Sequence, residues 1–376
     1  MKRIPRITYL LGAGASYNAL PIVNELPSVA ECMLENLNSL YNKFSGINRI
    51  ERTTFNKTKV LIEEVKKHHS IDTLARKIWI KNKNLRDAKA FDEEYARIKN
   101  LITAILYFKQ INNYTNYNDF EICKKIMLNR KSGNQLLIDP RFEAFFAAII
   151  NEDCSIPENF NFISWNYDIQ IEKTLHYYNS AKSIKDVANL YNINYQNFKL
   201  TSHNSQILKL NGTGLFDLNN PNVSSNKIMD HVSITNEAID IIIDGLSDDT
   251  EKLKPISTLI KFAWENESEI SIHHAIAAKK IEESDFVVVI GYSFPIFNRQ
   301  VDIDLFKDFR ANYNDKTKII IQAPEGDVHQ YIEQLESIKS GLSKKATPIT
   351  NLDQFYIPNE FWTQKPESIA GMTIFT

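Results

Sequence analysis

Short runs of apolar, mostly β-branched residues recur along this chain, and each ends near Gly, Asn or Pro. Most are followed by segments whose apolar residues stand three and four positions apart, the spacing of one helix face. This alternation predicts a parallel, doubly wound sheet covered by helices. The predicted strands are Ile7–Leu11, Phe160–Trp165, Ile207–Leu210, Phe286–Ile290 and Lys318–Gln322.

Residues 29–153, between the first two predicted strands, carry helical periodicity almost throughout. So long a segment between neighbouring strands predicts a large helical insertion. Near its end, Asp139 and Pro140 are residue types preferred at the N-cap and the first position of a helix. We therefore predict a Rossmann-like α/β domain over 1–348 that carries the insertion. The tail, 349–376, is expected to pack on the domain or to form an oligomer interface.

Residues 211–236 lack periodicity and are rich in Asn, Ser, Gly and Pro. They predict a long irregular loop, and such loops in compact domains are often functional. Periodicity returns afterwards and predicts helices over Ile256–Trp264 and Ile270–Glu282.

The amino-acid composition limits the kinds of molecule that this chain is expected to bind. Lys and Arg number 44 against 46 Asp and Glu, so the net charge of −2 gives no general attraction to nucleic acid or to an anionic membrane. No apolar run reaches the roughly 18 to 20 residues that span a bilayer. We therefore expect a soluble, cytoplasmic protein with no membrane partner.

Metal-binding patterns are missing from the sequence. The three cysteines form no CxxC pair, which excludes a four-cysteine zinc module, and we expect no metal. Histidine occurs in two neighbouring pairs without HExxH spacing. Both pairs are expected to be solvated helix residues: His68 with His69, and His273 with His274.

The first predicted strand runs into Gly12-Ala13-Gly14-Ala15-Ser16. Glycines at a strand-to-helix turn let the backbone approach an anion, and a helix N-terminus offers N–H groups to a pyrophosphate. However, Tyr17 stands where GxGxxG requires its third glycine, and no P-loop lysine follows. A phosphate cradle and a plain tight turn both remain open.

Polar residues also follow three other predicted strands. Asn166 and Asp168 follow "FISW", Asn211 follows "ILKL", and Gly291 and Ser293 follow "FVVVI". Because ligands of open α/β sheets bind at the carboxyl ends of the strands, these residues are expected to converge. Other interpretations are that Asn166 is a simple turn residue and that Asp168 is a helix N-cap.

Six segments resemble those of a known family in their residues and in their order along the chain: "LLGAGAS", "SIDTLA", "DPRFEAFFAAII", "FISWNYD", "LKLNG" and "VVVIGYSFPIFNRQVD". They resemble sirtuin-like domains, most of all the bacterial group of anti-phage defence systems whose members hydrolyse NAD. The resemblance extends over roughly Ile7 to Pro324. It implies NAD as substrate, with no metal.

The resemblance also implies roles for individual residues. Asn166 would lie beside the nicotinamide ribose and position that ribose or an attacking water. The candidate catalytic positions are Asn166, Asp168 and Asn211. The residues implied to hold the pyrophosphate are Gly12, Ala13, Gly14 and Ser16, and those implied to hold the adenosine half are Gly291 and Ser293.

Position 211 departs from the family pattern. There the strand normally ends in Leu-His-Gly, and the histidine acts as general base, whereas this chain has Asn211. An amide has no useful basicity, and general-base help is typically worth ~10²–10⁴-fold. The departure predicts a slow enzyme or an NAD- or ADP-ribose-binding scaffold. His203 and His231 are candidate substitutes near Asn211 in sequence.

The resemblance implies a function and partners. It implies an NAD glycohydrolase, releasing nicotinamide and ADP-ribose, that depletes NAD when phage infection is sensed. Hydrolysis is favoured over protein deacylation because the chain cannot build the cysteine zinc module usual in deacylases. Free-standing members of the family form homo-oligomers and work with a separate partner, such as a HerA-type ATPase or a short Argonaute. The insertion and the aromatic tail are candidate oligomer surfaces.

Overall fold

A computed structural model describes residues 4–43, 52–84, 88–111, 138–179, 181, 184–195, 205–216, 236–247, 258–266, 271–309 and 317–362. The strands are β1 (Ile7–Leu11), β2 (Phe160–Ser164), β3 (Ile193–Tyr195), β4 (Ile207–Lys209), β5 (Gly212–Phe216), β6 (Thr258–Ile260), β7 (Phe286–Ile290), β8 (Lys318–Gln322) and β9 (Ala346–Ile349). All five predicted strands are present, and β2 and β4 each end one residue earlier than predicted.

The described helices follow the predicted alternation. They are α1 (Leu26–Lys43), α2 (Arg52–Lys66), α3 (Ile71–Asn84), α4 (Ala88–Ile111), α5 (Pro140–Ile149), α6 (Gln170–His176), α7 (Ile184–Leu190), α8 (Asn236–Leu246), α9 (Ile272–Glu282), α10 (Arg299–Phe306), α11 (Glu325–Ile338) and α12 (Asn359–Trp362). Asp139 caps α5 as predicted, since its carboxylate accepts the N–H of Arg141 at 3.0 Å and Pro140 is the first helical residue.

Seven parallel strands form the central sheet in the order β3-β4-β2-β1-β7-β8-β9. Alternate residues of β1 and β7 enter two cores, one on each face of the sheet. Helices α5 to α7 contribute to one core, and α9 to α11 contribute to the other. The chain therefore has the predicted Rossmann-like α/β fold, with helices on both sides of the sheet.

A third core lies within the predicted insertion. Helices α1 to α4 bury apolar residues together with α8 and with the β5–β6 pair. Ile169, just before α6, belongs to the same core, and Tyr167 packs against it. The insertion thus contacts the segment that follows β2.

Two sequence predictions fail around β5 and β6. The predicted helix over Ile256–Trp264 instead contains strand β6, followed by the 3-10 turn Ala263–Asn266. The loop predicted over 211–236 begins as strand β5, and its residues 217–235 lie outside the described part. Antiparallel pairing of β5 with β6 determines both, and this tertiary contact overrides the local pattern.

The strand order places a topological switch point beside β1. After β1 the chain forms β2, β3 and β4 on one side of β1, and it then crosses to form β7 on the other side. Ligands of open α/β sheets bind at such a point, outside the carboxyl ends of the strands. The turn after β1 and the loop after β7 lie at this point, together with the loop after β2. Within the described residues, no helix is both long and apolar enough to cross a membrane.

Candidate functional site

The turn after β1 differs from the predicted strand-to-helix junction. Ala13–Ser16 form one turn of 3-10 helix, and an α-helix begins only at Leu26. Pro21 lies between them, and a proline disfavours the helical conformation of the residue before it. The prediction of an α-helix N-terminus directly behind the glycine turn is therefore wrong. Ala13 is partly buried in this turn.

The three candidate glycines pack against one another. A Cβ on Gly12 would lie 2.5 Å from the Gly291 carbonyl oxygen, and one on Gly14 would lie 2.8 Å from the Gly291 Cα. Gly291 has a φ of +61°, and a Cβ there would lie 2.4 Å from the Gly14 carbonyl carbon. The N–H of Gly14 donates to the Gly291 oxygen at 3.0 Å. The glycines predicted to let the backbone approach an anion instead let two backbone segments, the turn after β1 and the loop after β7, pack against each other.

Arg141, in the first turn of α5, contacts the glycine turn through its side chain. Its guanidinium donates to the carbonyl oxygens of Gly14 and Ala15, at 3.2 and 3.0 Å. The same group forms a buried ion pair with Asp139, at 2.5 Å. Sequence reasoning found Asp139 as a cap but missed Arg141, whose contact with the turn joins residues more than 120 positions apart.

Ser16, Asn166 and Asp168 form a buried polar cluster, as predicted for strand ends at one sheet edge. The Ser16 hydroxyl donates to Asp168 Oδ2 at 2.8 Å, and Asn166 Nδ2 donates to Ser16 Oγ at 3.4 Å. Asp168 Oδ1 accepts the N–H of Gln170, the first residue of α6, but the N-cap position is held by Ile169 and not by Asp168. Because the Asn166 amide nitrogen faces Ser16, its amide oxygen is the atom suited to accept a ligand hydroxyl or water.

Asn211 lies between β4 and β5, beside the same cluster. Its Nδ2 donates to the carbonyl oxygen of Trp165 at 2.9 Å, the residue before Asn166. The side chain is 5% exposed, and Oδ1 is buried with no hydrogen-bond partner among the described residues. A buried acceptor without a partner costs roughly 1–3 kcal/mol, so a donor on a ligand would recover that free energy.

The segment after β2 is fixed from two sides. The Tyr167 carbonyl oxygen accepts Gly214 N–H at 2.5 Å and the Thr213 hydroxyl at 3.2 Å, both from β5. Beneath it, Lys209 donates to the Asp168 carbonyl oxygen and pairs with Glu172 at 3.5 Å. Lys209 and Glu172 are fully buried, and their ion pair contacts the cluster through the Asp168 carbonyl oxygen. The one sequence signal for it is a lysine inside an apolar strand.

The loop after β7 is strained. Phe294 has a φ of +51°, which is unusual for a bulky residue. The Tyr292 hydroxyl bonds to both carboxyl oxygens of Asp302, at 2.9 and 3.0 Å, and burial raises the pKa of Asp302 well above its ordinary value. Ser293 is partly buried. Tyr292 and Asp302 thus hold a strained loop that presents Ser293.

One histidine prediction is wrong. His273 and His274, expected to be solvated, are 4% and 3% exposed in the first turn of α9. Burial, the neighbouring His273 and Lys261 lower the pKa of His274 to about 4. Its ring lies 6.4 Å from that of Trp165. His203 and His231, the substitutes suggested for a missing base, lie outside the described residues.

The structure brings Ser16, Asn166, Asp168 and Asn211 to one edge of the sheet and presses Gly12 and Gly14 against Gly291. Among the described residues, no group of three or more His, Cys, Asp or Glu side chains is arranged to hold a metal ion. No family model matches this chain, and no curated protein matches it.

Proposed function

We propose that this chain binds NAD at the carboxyl edge of β1, β2 and β4 and hydrolyses the bond between nicotinamide and ribose. The observation that carries the proposal is the pair of asparagines after neighbouring strands. Each uses its amide nitrogen within the protein, to Ser16 or to the Trp165 carbonyl, which directs an acceptor oxygen to a ligand. A ribose diol supplies hydroxyl donors of that kind.

The polar cluster also suits the chemistry of this bond. Loss of nicotinamide leaves an oxocarbenium-like centre on the ribose, as in glycoside cleavage. Fixed dipoles and a nearby carboxylate stabilise such a centre. Asn166 would position the ribose or the attacking water, and Asp168, held by Ser16 and by the α6 backbone, would contribute negative charge.

The pyrophosphate part of the proposal has less support than the ribose part. Gly12, Gly14 and Gly291 are needed for the contact between two loops, and the Gly14 N–H is already bonded to Gly291. Ala13, Ser16 and Ser293 at the rim of this contact are the remaining candidates for phosphate and adenosine binding. The sirtuin-like resemblance supports this placement at the switch point.

The test is nicotinamide release from NAD by the purified chain, together with NAD binding by calorimetry. The Asn166→Ala variant should bind NAD but lose roughly 10²–10³-fold in rate, the loss typical for one group that stabilises a transition state. The control is Asn161→Ala, at the opposite end of β2, where Asn161 accepts Lys280 at 2.8 Å. Equal rates for the two variants would contradict the proposal.

A second candidate function rests on Asn211. Because an amide cannot accept a proton at neutral pH, an NAD- or ADP-ribose-binding scaffold is the alternative. In that case the unaltered chain binds NAD without releasing nicotinamide, and Asn211→His gains release. If the unaltered chain cleaves NAD and Asn166→Ala does not, the scaffold is excluded.

The biological role is proposed from the resemblance. A cytoplasmic NADase of this kind would deplete NAD in anti-phage defence, as a homo-oligomer working with a HerA-type ATPase or a short Argonaute. Light scattering of the full chain tests the oligomer, and a monodisperse monomer at micromolar concentration would count against it.

A further inference from the structure

A network of buried hydrogen bonds joins the turn after β1 to the segment after β2 through the start of α5. Ser16 donates to Asp168 Oδ2, and Asp168 Oδ1 accepts the N–H of Gln170 at 3.0 Å. The side-chain oxygen of Gln170 accepts the N–H of Asp139 at 2.8 Å. Asp139 is paired with Arg141, whose guanidinium returns to the turn that contains Ser16. Each of these residues is at most 6% exposed, so the whole network is kept from water.

The Asp139–Arg141 pair takes the place of one hydrogen bond of an α-helix. If the turn after β1 continued as an α-helix, the N–H of Asn18 would donate to the carbonyl oxygen of Gly14. Instead, the Asn18 N–H donates to Asp139 Oδ2 at 3.0 Å. The Gly14 oxygen accepts the Arg141 guanidinium at 3.2 Å. The carboxylate therefore binds the donor of the missing helical bond, and the guanidinium binds its acceptor.

Several contacts fix the orientation of the Arg141 guanidinium. Its Nε and Nη2 donate to the Asp139 carboxylate, at 2.9 and 2.5 Å. Nη2 also donates to the carbonyl oxygens of Gly14 and Ala15. The ring of Phe355, which follows β9, has its centroid 5.1 Å from the guanidinium carbon, within cation–π distance. A lysine cannot reproduce this set of contacts, because its ammonium group lacks the planar fork of the guanidinium.

The position of the Ser16 hydroxyl depends on this arrangement. The Ala15 carbonyl that accepts Arg141 at 3.0 Å belongs to the same planar peptide unit as the Ser16 nitrogen. The guanidinium thus holds the peptide unit from which Ser16 begins. The Ser16 hydroxyl lies 2.8 Å from Asp168 Oδ2 and 3.4 Å from Asn166 Nδ2. A shift of this peptide unit would move the hydroxyl away from both partners.

We propose that Arg141 is a positioning residue of the candidate site, acting through the peptide unit before Ser16. By fixing that unit, Arg141 keeps the Ser16 hydroxyl on Asp168 and so keeps the Asp168 carboxylate in one orientation. The inference rests on the proposed NAD hydrolysis. Arg141 acts through Ser16 and not on the ribose. A misplacement of about 1 Å caused by a change far from the reacting bond can lower a rate by about 10²-fold.

The test compares the full-length chain with Arg141→Lys, which keeps the charge that pairs with Asp139 but loses the planar fork. The matched control is Lys280→Met, because Lys280 donates to Asn161 at 2.8 Å at the opposite end of β2. We would measure kcat and KM of nicotinamide release, alone and in combination with Ser16→Ala, and hydrogen exchange of the amides of residues 13–18. If Arg141→Lys fails to fold, Asp139→Asn combined with Arg141→Met replaces it, since that pair of changes leaves neither charge buried alone.

We expect Arg141→Lys to lower kcat about 10²-fold with a much smaller change in KM. Its combination with Ser16→Ala should be no slower than the slower single variant, because both changes break the same contact. Amides 13–18 should exchange faster in Arg141→Lys. Lys280→Met should keep the rate and the exchange of the unaltered chain.

Three results would overturn the role of Arg141. They are full kcat in Arg141→Lys, rate losses that multiply when the variant is combined with Ser16→Ala, and unchanged exchange of residues 13–18. Each of them leaves the proposed function standing if the unaltered chain cleaves NAD. If the unaltered chain neither binds nor cleaves NAD, the proposed function is refuted, and hydrogen exchange alone decides whether Arg141 holds the turn.

Discussion

Two loop contacts at the same sheet edge differ in what holds them together. The loops after β1 and β7 meet backbone to backbone through Gly12, Gly14 and Gly291, and the N–H groups of Gly12 and Gly14 donate to the carbonyl oxygens of Ile290 and Gly291. The loops after β2 and β4 meet through buried polar side chains, and the Oδ1 of Asn211 has no hydrogen-bond partner in the described part of the chain. Close packing explains why glycines occupy the first contact, whereas packing does not explain the buried polar side chains of the second.

This difference changes which residues carry the functional argument. The glycine turn is the stretch that most resembles a nucleotide motif, yet its glycines have a structural cause. Asn166 and Asn211 form weaker sequence patterns, but Asn211 has a buried amide oxygen with no hydrogen-bond partner among the described residues. An unsatisfied buried group in a native structure calls for such an explanation.

The largest expected effect is on the glycine contact. Gly291→Ala should lower the free energy of unfolding by about 2–5 kcal/mol, because it adds a left-handed alanine to an overpacked backbone contact. Chemical denaturation measures the change. The control is Gly326→Ala in α11, where a Cβ meets no atom within 4 Å. A loss below about 1 kcal/mol at Gly291 would refute the packing account of the glycines.

Ser16 joins the two contacts and should have an intermediate effect. Ser16→Ala removes the donor to Asp168 Oδ2 and leaves a buried carboxylate oxygen unpaired, which costs about 1–3 kcal/mol. Thermal unfolding measures the cost. Unchanged stability combined with weakened NAD binding would instead place the Ser16 hydroxyl among the groups that contact the ligand.

Asp72→Asn should stabilise the protein at neutral pH. The folded state raises this carboxyl pKa from 3.8 to about 6, so folding disfavours the charged form. The group's contribution to stability falls as pH rises from about 4 to 6 and stays unfavourable above that range. The variant should therefore gain about 1–3 kcal/mol at pH 7.5 and almost nothing at about pH 3. An equal gain at both pH values would contradict this account.

The smallest stability effect is expected at Asn211. Asn211→Leu loses the hydrogen bond to the Trp165 carbonyl but also removes the unpartnered Oδ1, so the two terms offset to within about 1 kcal/mol. NAD affinity, measured by calorimetry, should fall at least about tenfold, as for a lost ligand hydrogen bond. Strong destabilisation with unchanged affinity would make Asn211 a structural residue.

The central strands and the cap of α5 could be predicted because their signals are local. β1, β7 and β8 are rich in consecutive apolar residues, and the structure gives them the predicted bounds. Asp139-Pro140 is likewise a local signal. The predicted convergence of Ser16, Asn166 and Asp168 followed from the rule that parallel strands end at one edge.

The remainder depends on partners distant in sequence. Nothing near Gly12 or Gly14 indicates that Gly291 fills the space beside them. Strand β6 forms because β5 pairs with it, and His274 is buried because α9 packs beside Trp165. Asp72 resembles an ordinary residue of a helix's first turn until its buried oxygen is seen.

The placement of β1 has a consequence for synthesis on the ribosome. Ile7 pairs with Phe160 and with Phe286, so the central strand finds its second neighbour only after nearly 280 further residues are made. At ~5–20 residues per second, that wait is roughly 15–60 s. Throughout it the apolar β1 remains an unpaired edge on the nascent chain, a target for chaperones and a risk for aggregation. Because the loop after β7 is the last of the four loops at this sheet edge to be synthesised, a chain that stops before it lacks part of the candidate site.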